Sequence, residues 1–435
     1  MAHPPSGEYT WYEGCCLIMI MPFQKLSEYI NKNRTETIEI NGVKFKIYEN
    51  TIGRYYDIKG KPFKDGKLAG DASIPVGGVN IKFQNNTGIE FYPDGALLSG
   101  TPLKEIETGI FNKRIRFFPT RTFFNKNGSI KKGFLTDKID LPAGKEMILF
   151  SNDYISFYPN GLVLAGRPVS YELKTKSGTL IFNKNTLLVF KENGSIEYAF
   201  NIKPHCIRQD EKDNLRDISD YCSDNNFIGI RYKKSDAEIF LSAVSLYPDG
   251  QIHHINLTYG TMLMLNINGR PYSFTSSNQH IEIYSDNIDK NKLESIWKHS
   301  VSFFPDGFIE SGYLANTQKI NIDRREVAFT GLDKRAYTDS LKFKVYFHKD
   351  GTLMQGSLEH NQSLSTSEGY LKFCGVKENE NDQGRSIVIF HKNGKVKSGT
   401  VIKKFIREGD HYINPNERSR LYTGDGYYYE LYTDN

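Results

Sequence analysis

The sequence predicts an all-β chain, a repeated antiparallel β-hairpin meander with a short N-terminal helix. Two observations carry this. One phrase, clearest from Ile155 to Gly166 (ISFYPNGLVLAG), recurs eight times along the 435 residues. Between its copies, short stretches alternate apolar and polar residues and end in Asn, Asp, Ser or Gly, which is the period and punctuation of strands.

Within the phrase, Ile155 and Phe157 stand two apart, so a strand puts them on one face. Tyr158-Pro159-Asn160-Gly161 then reads as a β-turn. Proline presets φ at the second position, Asn suits the third, and glycine accepts the left-handed conformation of a G1 bulge. Val163 opens the return strand on the buried face, and Gly166 marks a place where a side chain is unwelcome. The copies align on turn glycines Gly95, Gly128, Gly161, Gly194, Gly250, Gly307, Gly351 and Gly394. Four residues before each stands Phe, once Leu246, and six before stands an aliphatic residue, once Thr122. Two after stands an aliphatic; five after stands Gly, replaced by Ala199 and Ile255 in two copies. A degenerate copy, FKDGKLAG, precedes them, with Gly66 read as its turn glycine and Leu68 as its aliphatic. The first intervals are 33 residues each; later ones are 56, 57, 44 and 43. A fixed period of this size marks units that bury their faces only against neighbours.

This order of aliphatic, aromatic, Asp-Gly or Asn-Gly, aliphatic and closing glycine resembles the MORN-type β-hairpin repeat, in the form found in bacterial MORN-like antitoxins. The resemblance covers roughly residues 60 to 405. The family's repeats are shorter and carry a second glycine-aromatic step that this chain lacks. The resemblance implies a hairpin array, open or closed into barrel-like units, and a binding role, with an antitoxin-like or immunity role as its narrower form. It carries over no catalytic residue.

Taken in order, residues 1–35 are a leader with a short helix, Phe23 to Lys32, where Leu26, Tyr29 and Ile30 recur at helical spacing. Residues 36–204 form a first hairpin array. It opens with two alternating arms about Asn41-Gly42, pairing Ile40 with Val43 and Ile38 with Phe45. Beyond the phrase itself, Val79 to Phe83, Glu146 to Phe150 and Gly178 to Phe182 read as further strands, giving three per 33-residue repeat. Residues 205–226 are an acidic insertion or linker. Residues 227–435 form a second array, with a short helix over Asn291 to His299 and a Tyr-rich tail placed to close a sheet edge.

Composition bounds the function. Aromatic residues make up 13%, with 28 Phe and 27 Tyr against 2 Trp, and the net charge is only +5. That charge neither requires nor excludes a polyanionic partner. The five cysteines lack metal-site spacing and form no disulfide framework, which points to a reducing compartment. The expected location is cytoplasmic, with a surface or envelope location as the alternative.

No Gly-rich phosphate loop, G-x-S-x-G or H-E-x-x-H occurs, so no catalytic residue, metal or cofactor is assigned. The turn carboxylates Asp94, Asp249, Asp306 and Asp350 share their position with Asn in sister copies, which marks turn chemistry. His205, Cys206, Cys222 and the nearby aspartates lack the short-spaced second pair of a zinc site and the glycine of a calcium loop. Binding is expected on outward aromatics just after the core Phe, at Tyr92, Tyr158, Tyr247 and Phe304. Arg114 and Arg116, in a segment that interleaves Arg with aromatics, are the remaining candidates. The expected function is non-enzymatic, an extended sheet surface for a protein partner, with glycan or membrane surfaces as variants and nucleic acid disfavoured. The alternative is an enzyme with its site among residues 205–300.

Overall fold

The computed structural model describes residues 34–54, 58–59, 62–143, 146–176, 178–201, 207–209, 215–217, 228–232, 238–258, 261–276, 290–332, 340–367, 369–377, 386–402 and 426–430. The helix expected at Phe23 to Lys32 lies outside them. So does most of the insertion, whose described parts, Ile207–Gln209 and Leu215–Asp217, pair antiparallel. The chain divides into two compact units, Met1–Leu141 with Asn152–Leu164, and Pro142–Ser151 with Ala165–Asn435.

Both units are antiparallel meanders of hairpins, and the regular 33-residue repeats have four strands each, not three. A lateral hairpin comes first, then the hairpin of the recurring phrase. In the first unit, Ala72–Val76 pairs with Val79–Phe83, and the phrase hairpin follows as Gly88–Phe91 with Leu97–Gly100. Ile106–Ile110 with Lys113–Phe117 precedes Thr122–Phe124 with Ile130–Phe134 in the same way. The strand beyond those expected is the first of the lateral hairpin in these repeats. The hairpin about Asn41-Gly42 has both expected strands, with Ile40 paired to Val43 and Ile38 to Phe45. Phrase hairpins join side by side, Gly100 pairing with Thr122 and Gly133 with Ile155. The second unit repeats the scheme: Gly312 pairs with Val345 and Gly356 with Val388. Its last described strand, Gly426–Glu430, adds to Val396–Ile402 and carries three of the tail tyrosines. The longer intervals here are spacers between lateral hairpin and phrase, and one holds helix α1, Lys290–Lys298.

The turn chemistry follows the sequence. In the first phrase hairpin the Tyr92 amide donates to the Ala96 carbonyl (2.8 Å), the Gly95 amide donates to the Tyr92 carbonyl (2.9 Å), and Gly95 has φ +84°. The Asp94 carboxylate accepts from the Ala96 amide, as Asn127, Asn160 and Asp350 do in their own turns. The degenerate copy is registered differently from the sequence reading. Gly66 lies inside strand Phe63–Lys67 and pairs with Ile89, so it is the closing glycine, not the turn glycine.

The core explains both the Phe and the closing glycine. Phe91, Phe124, Phe157, Phe190, Phe303, Phe347 and Phe390 are buried with their aliphatic neighbours. Most lateral hairpins supply one more buried Phe near their end, and in five copies, at Phe83, Phe117, Phe274, Phe329 and Phe373, this ring lies against the closing glycine. A Cβ on Gly100 would stand 2.7 Å from the Phe83 ring, one on Gly133 2.6 Å from Phe117, and one on Gly356 2.7 Å from Phe329. The same ring makes an edge contact with the core Phe of the following repeat: Phe83 with Phe124 at 6.3 Å, Phe117 with Phe157 at 6.4 Å, Phe329 with Phe390 at 6.2 Å. Each such pair adds about 0.5–1.5 kcal/mol beyond area burial, so the rings tie repeat to repeat.

The tips of the lateral hairpins make a second tie. Asn41-Gly42, Gly77-Gly78 and Asn268-Gly269 have positive φ at both residues, the two-residue turn that matches strand twist. Each tip reaches the turn glycine of the next repeat. Asn41 Nδ2 donates to the Gly95 carbonyl (3.2 Å), Gly77 abuts Gly128, and Asn268 abuts Gly351.

Candidate binding surface

The phrase strands bury one face and turn the other outward. On the outward face stand the residues five before and four after each turn glycine, which pair across strands and differ from copy to copy. In the second unit this face is covered. Helix α1 lays Leu293, Ile296 and Trp297 over Tyr198, Phe200 and Ala243. Trp297 also stacks on His254 at 5.4 Å.

Beneath and beside the helix lies a polar row. Ser245 Oγ and His254 Nδ1 are 2.8 Å apart, and burial, with His253 and Lys344 adding to it, pushes the His254 pKa down to about 3. Lys344 is buried, its Nζ donating to the Lys298 carbonyl (3.1 Å), and desolvation pushes its pKa down to about 8 against the pull of Glu310. Among the described residues no group of three or more His, Cys, Asp or Glu could hold a metal ion. His205, Cys206 and Cys222 lie outside them. No helix among the described residues is long and apolar enough to cross a membrane.

In the first unit the same face carries a strip of rings and cations. Phe123 and Lys132 are cross-strand partners, as are Phe134 and Tyr154. Phe118 meets Phe134 at 5.7 Å and Phe134 meets Tyr154 at 5.1 Å, both edge-on. Arg121 lies 5.4 Å above the Phe123 ring, and Lys132 lies 5.8 Å from Phe123 and 5.1 Å from Tyr154. Phe118 and Tyr154 remain 36% and 41% exposed. These are large rings left in water, and soluble surfaces group such residues chiefly where something binds.

The six residues singled out from sequence fall into two sets. Tyr92, Tyr158, Tyr247 and Phe304 sit one per copy at the turn end of the phrase, half-buried. Their contacts are mostly internal. The Tyr92 hydroxyl donates to the Phe124 carbonyl (3.0 Å) and that of Tyr247 to the Phe303 carbonyl (2.9 Å), each tying its copy to the next. Tyr158 makes the turn bonds through its backbone, and Lys349 stands 5.9 Å over Phe304. Arg114 and Arg116 are exposed on the lateral strand that leads to Phe118, with Arg114 near Glu107 (3.5 Å) and Arg116 on Asp137 (2.6 Å). Arg114 and Arg116 stand four and two residues before Phe118 in the chain, and Tyr247 reaches the backbone next to Phe304. Of the residues that form the strip, Phe118 and Phe123 lie in the segment that interleaves Arg with aromatics, and Lys132, Phe134 and Tyr154 carry no sequence signal of their own.

No family model and no curated protein matches the chain. Among solved structures, the crystal structure of TcdB2-TccC3 aligns with 88% of this chain and 30% of its own length, at 9% identity and a TM-score of 0.07. The chain thus spans under a third of that structure's length, and the likeness supports no statement on fold or function.

Proposed function

We propose that the chain is a non-enzymatic repeat protein whose constant frame holds an outward face that binds a macromolecular partner, centred on the strip from Arg114 to Tyr154. The observation that carries this is the exposure of Phe118 and Tyr154 on a face that α1 covers at equivalent positions in the second unit. Large rings in water beside cations supply the desolvation and directional contact of a binding hot spot. An antitoxin-like or immunity role is the narrower form, carried by the resemblance alone. The enzymatic alternative would centre on Ser245 and His254. Ser245 is 3% exposed and Trp297 lies over the imidazole, which leaves hydroxyl and ring as a packed polar pair.

The test is affinity capture of partners from the native cell by full-length chain, wild type against the double variant Phe118→Ser, Tyr154→Ser. Loss of one defined partner with the variant supports the surface. An unchanged capture profile refutes its placement.

A further inference from the structure

We propose that the partner of this strip is single-stranded nucleic acid, an inference that rests on reading the strip as a binding surface. Charge is the first argument. Residues 104–138, one repeat, carry nine Lys or Arg against three Asp or Glu, a net of +6 where the whole chain carries +5. The rest of the chain sums to −1. Residues 385–407 are also basic, with seven Lys or Arg and no Asp or Glu, and the 104–138 repeat is the one that joins such charge to the exposed rings. A local excess of cations beside exposed rings draws a polyanion onto the strip.

Ring geometry is the second. Phe118, Phe134 and Tyr154 meet edge to face, at interplanar angles of 65° and 82°, so their faces do not cover one another throughout. Bases stack on such rings irrespective of sequence, and neighbouring cations meet the phosphates. Lys132 and Arg121 are held beside the rings at the distances given above. Arg114, Arg116 and Arg121 lie near Glu107, Asp137 and Glu90. Solvent-exposed pairs of this kind are worth about 0–1 kcal/mol, so a phosphate can replace the carboxylate. The rings stand on a sheet face, and stacking on them needs bases that are not already paired and stacked in a duplex, which favours unpaired strands.

The test is fluorescence anisotropy of the full chain with labelled oligothymidylate and oligouridylate of about 12 nucleotides, against a duplex of the same length and polyglutamate. Single strands of either sugar are expected to bind best. Affinity should fall about 50-fold between 50 and 200 mM salt if roughly four phosphates are neutralised. Tyr154→Ala should weaken binding about tenfold with the salt slope unchanged. Arg114→Glu, at a side chain 86% exposed, should flatten the slope without affecting folding. No oligonucleotide binding, equal binding of polyglutamate, or tighter binding of duplex each overturns the proposal. If oligonucleotides fail while Phe118→Ser, Tyr154→Ser still loses a captured protein, the surface stands and its nucleic-acid assignment falls. If that variant loses nothing, both fall.

Discussion

Lys344 Nζ donates a 3.1 Å hydrogen bond to the carbonyl of Lys298, the last residue of α1. The Tyr313 hydroxyl donates to the same oxygen at 3.1 Å. A helix end leaves carbonyls without intrahelical partners and carries partial negative charge, so a cation there is favourable. The lysine is drawn from the phrase strand Lys344–Phe347, which fixes α1 to the sheet.

Burial holds the Lys344 pKa at about 8, below its ordinary value. The unfolded chain then binds more protons than the folded one between pH 8 and 10.4, so stability must rise with pH across that window. The tyrosines titrate oppositely above pH 10, with Tyr198 raised to about 12 by burial and Glu197, so the measurement belongs between pH 8 and 9.5. Denaturant melts of the wild type should gain up to about 1.4 kcal/mol per pH unit there. Lys344→Met should abolish the slope and expose the α1 amides to faster hydrogen exchange. A slope that survives the substitution refutes the assignment.

His254 gives the acid counterpart. Burial holds its pKa at about 3, so the folded chain keeps the ring neutral where the unfolded chain protonates it. This contribution is complete above pH 6.5 and is lost as pH falls from there toward 3, at up to about 1.4 kcal/mol per unit. In the tautomer protonated at Nε2, Nδ1 accepts from Ser245. Nitrogen-15 NMR of the imidazole at pH 5 should show a neutral ring. A protonated ring at that pH refutes the prediction, and His254→Asn should flatten the acid limb of the stability curve.

How much of this could be read in advance differs by level. The phrase was legible because each copy makes the same local demand: Gly95 and its sisters need positive φ, and Phe91 and its sisters fill one core. The ties between repeats were not. Asn41 meets Gly95 across 54 residues, and Phe83 covers Gly100 only once two hairpins are stacked. In the surface strip, Arg114 and Arg116 stood out by composition. Tyr154 did not, because it reaches Phe134 and Lys132 through strand pairing that no spacing records. The first lateral strand Ile106–Ile110 is short and half-exposed, with no apolar alternation strong enough to announce it, whereas Ala72–Val76 does alternate but carries Pro75, a residue that argues against a strand.

Gly128 and Gly250 occupy the same turn position with nearly the same φ, +83° and +82°, but they differ in surroundings. A Cβ on Gly128 would stand 2.2 Å from the Gly77 amide nitrogen, whereas one on Gly250 meets nothing within 4 Å. Gly250→Ala should cost only the left-handed penalty, about 1–2 kcal/mol. Gly128→Ala must also push the Gly77-Gly78 tip away, raising the loss to about 3 kcal/mol or more. Chemical denaturation with hydrogen exchange followed along the chain separates the two. Equal losses would mean that the tip does not bear on the turn.

The lateral tip at Phe111-Asn112 places two non-glycine residues at φ +51° and +58°, as Asp323-Arg324 does at +46° and +64°, where the tips at 41–42, 77–78 and 268–269 use Asn-Gly or Gly-Gly. Phe111 is the costly member, because its Cβ crowds the following carbonyl and its ring is 43% exposed, so burial does little to offset the strain. Its neighbour Ile110 packs at 3.7 Å from the Cβ position of Gly161, which keeps the tip in register. Replacing the pair with Asn-Gly should therefore relieve backbone strain while leaving the contact in place, raising stability by about 1 kcal/mol. A thermal melt of the double variant Phe111→Asn, Asn112→Gly should move upward by a few degrees. A downward shift would show that the Phe111 ring supplies packing that outweighs its backbone cost.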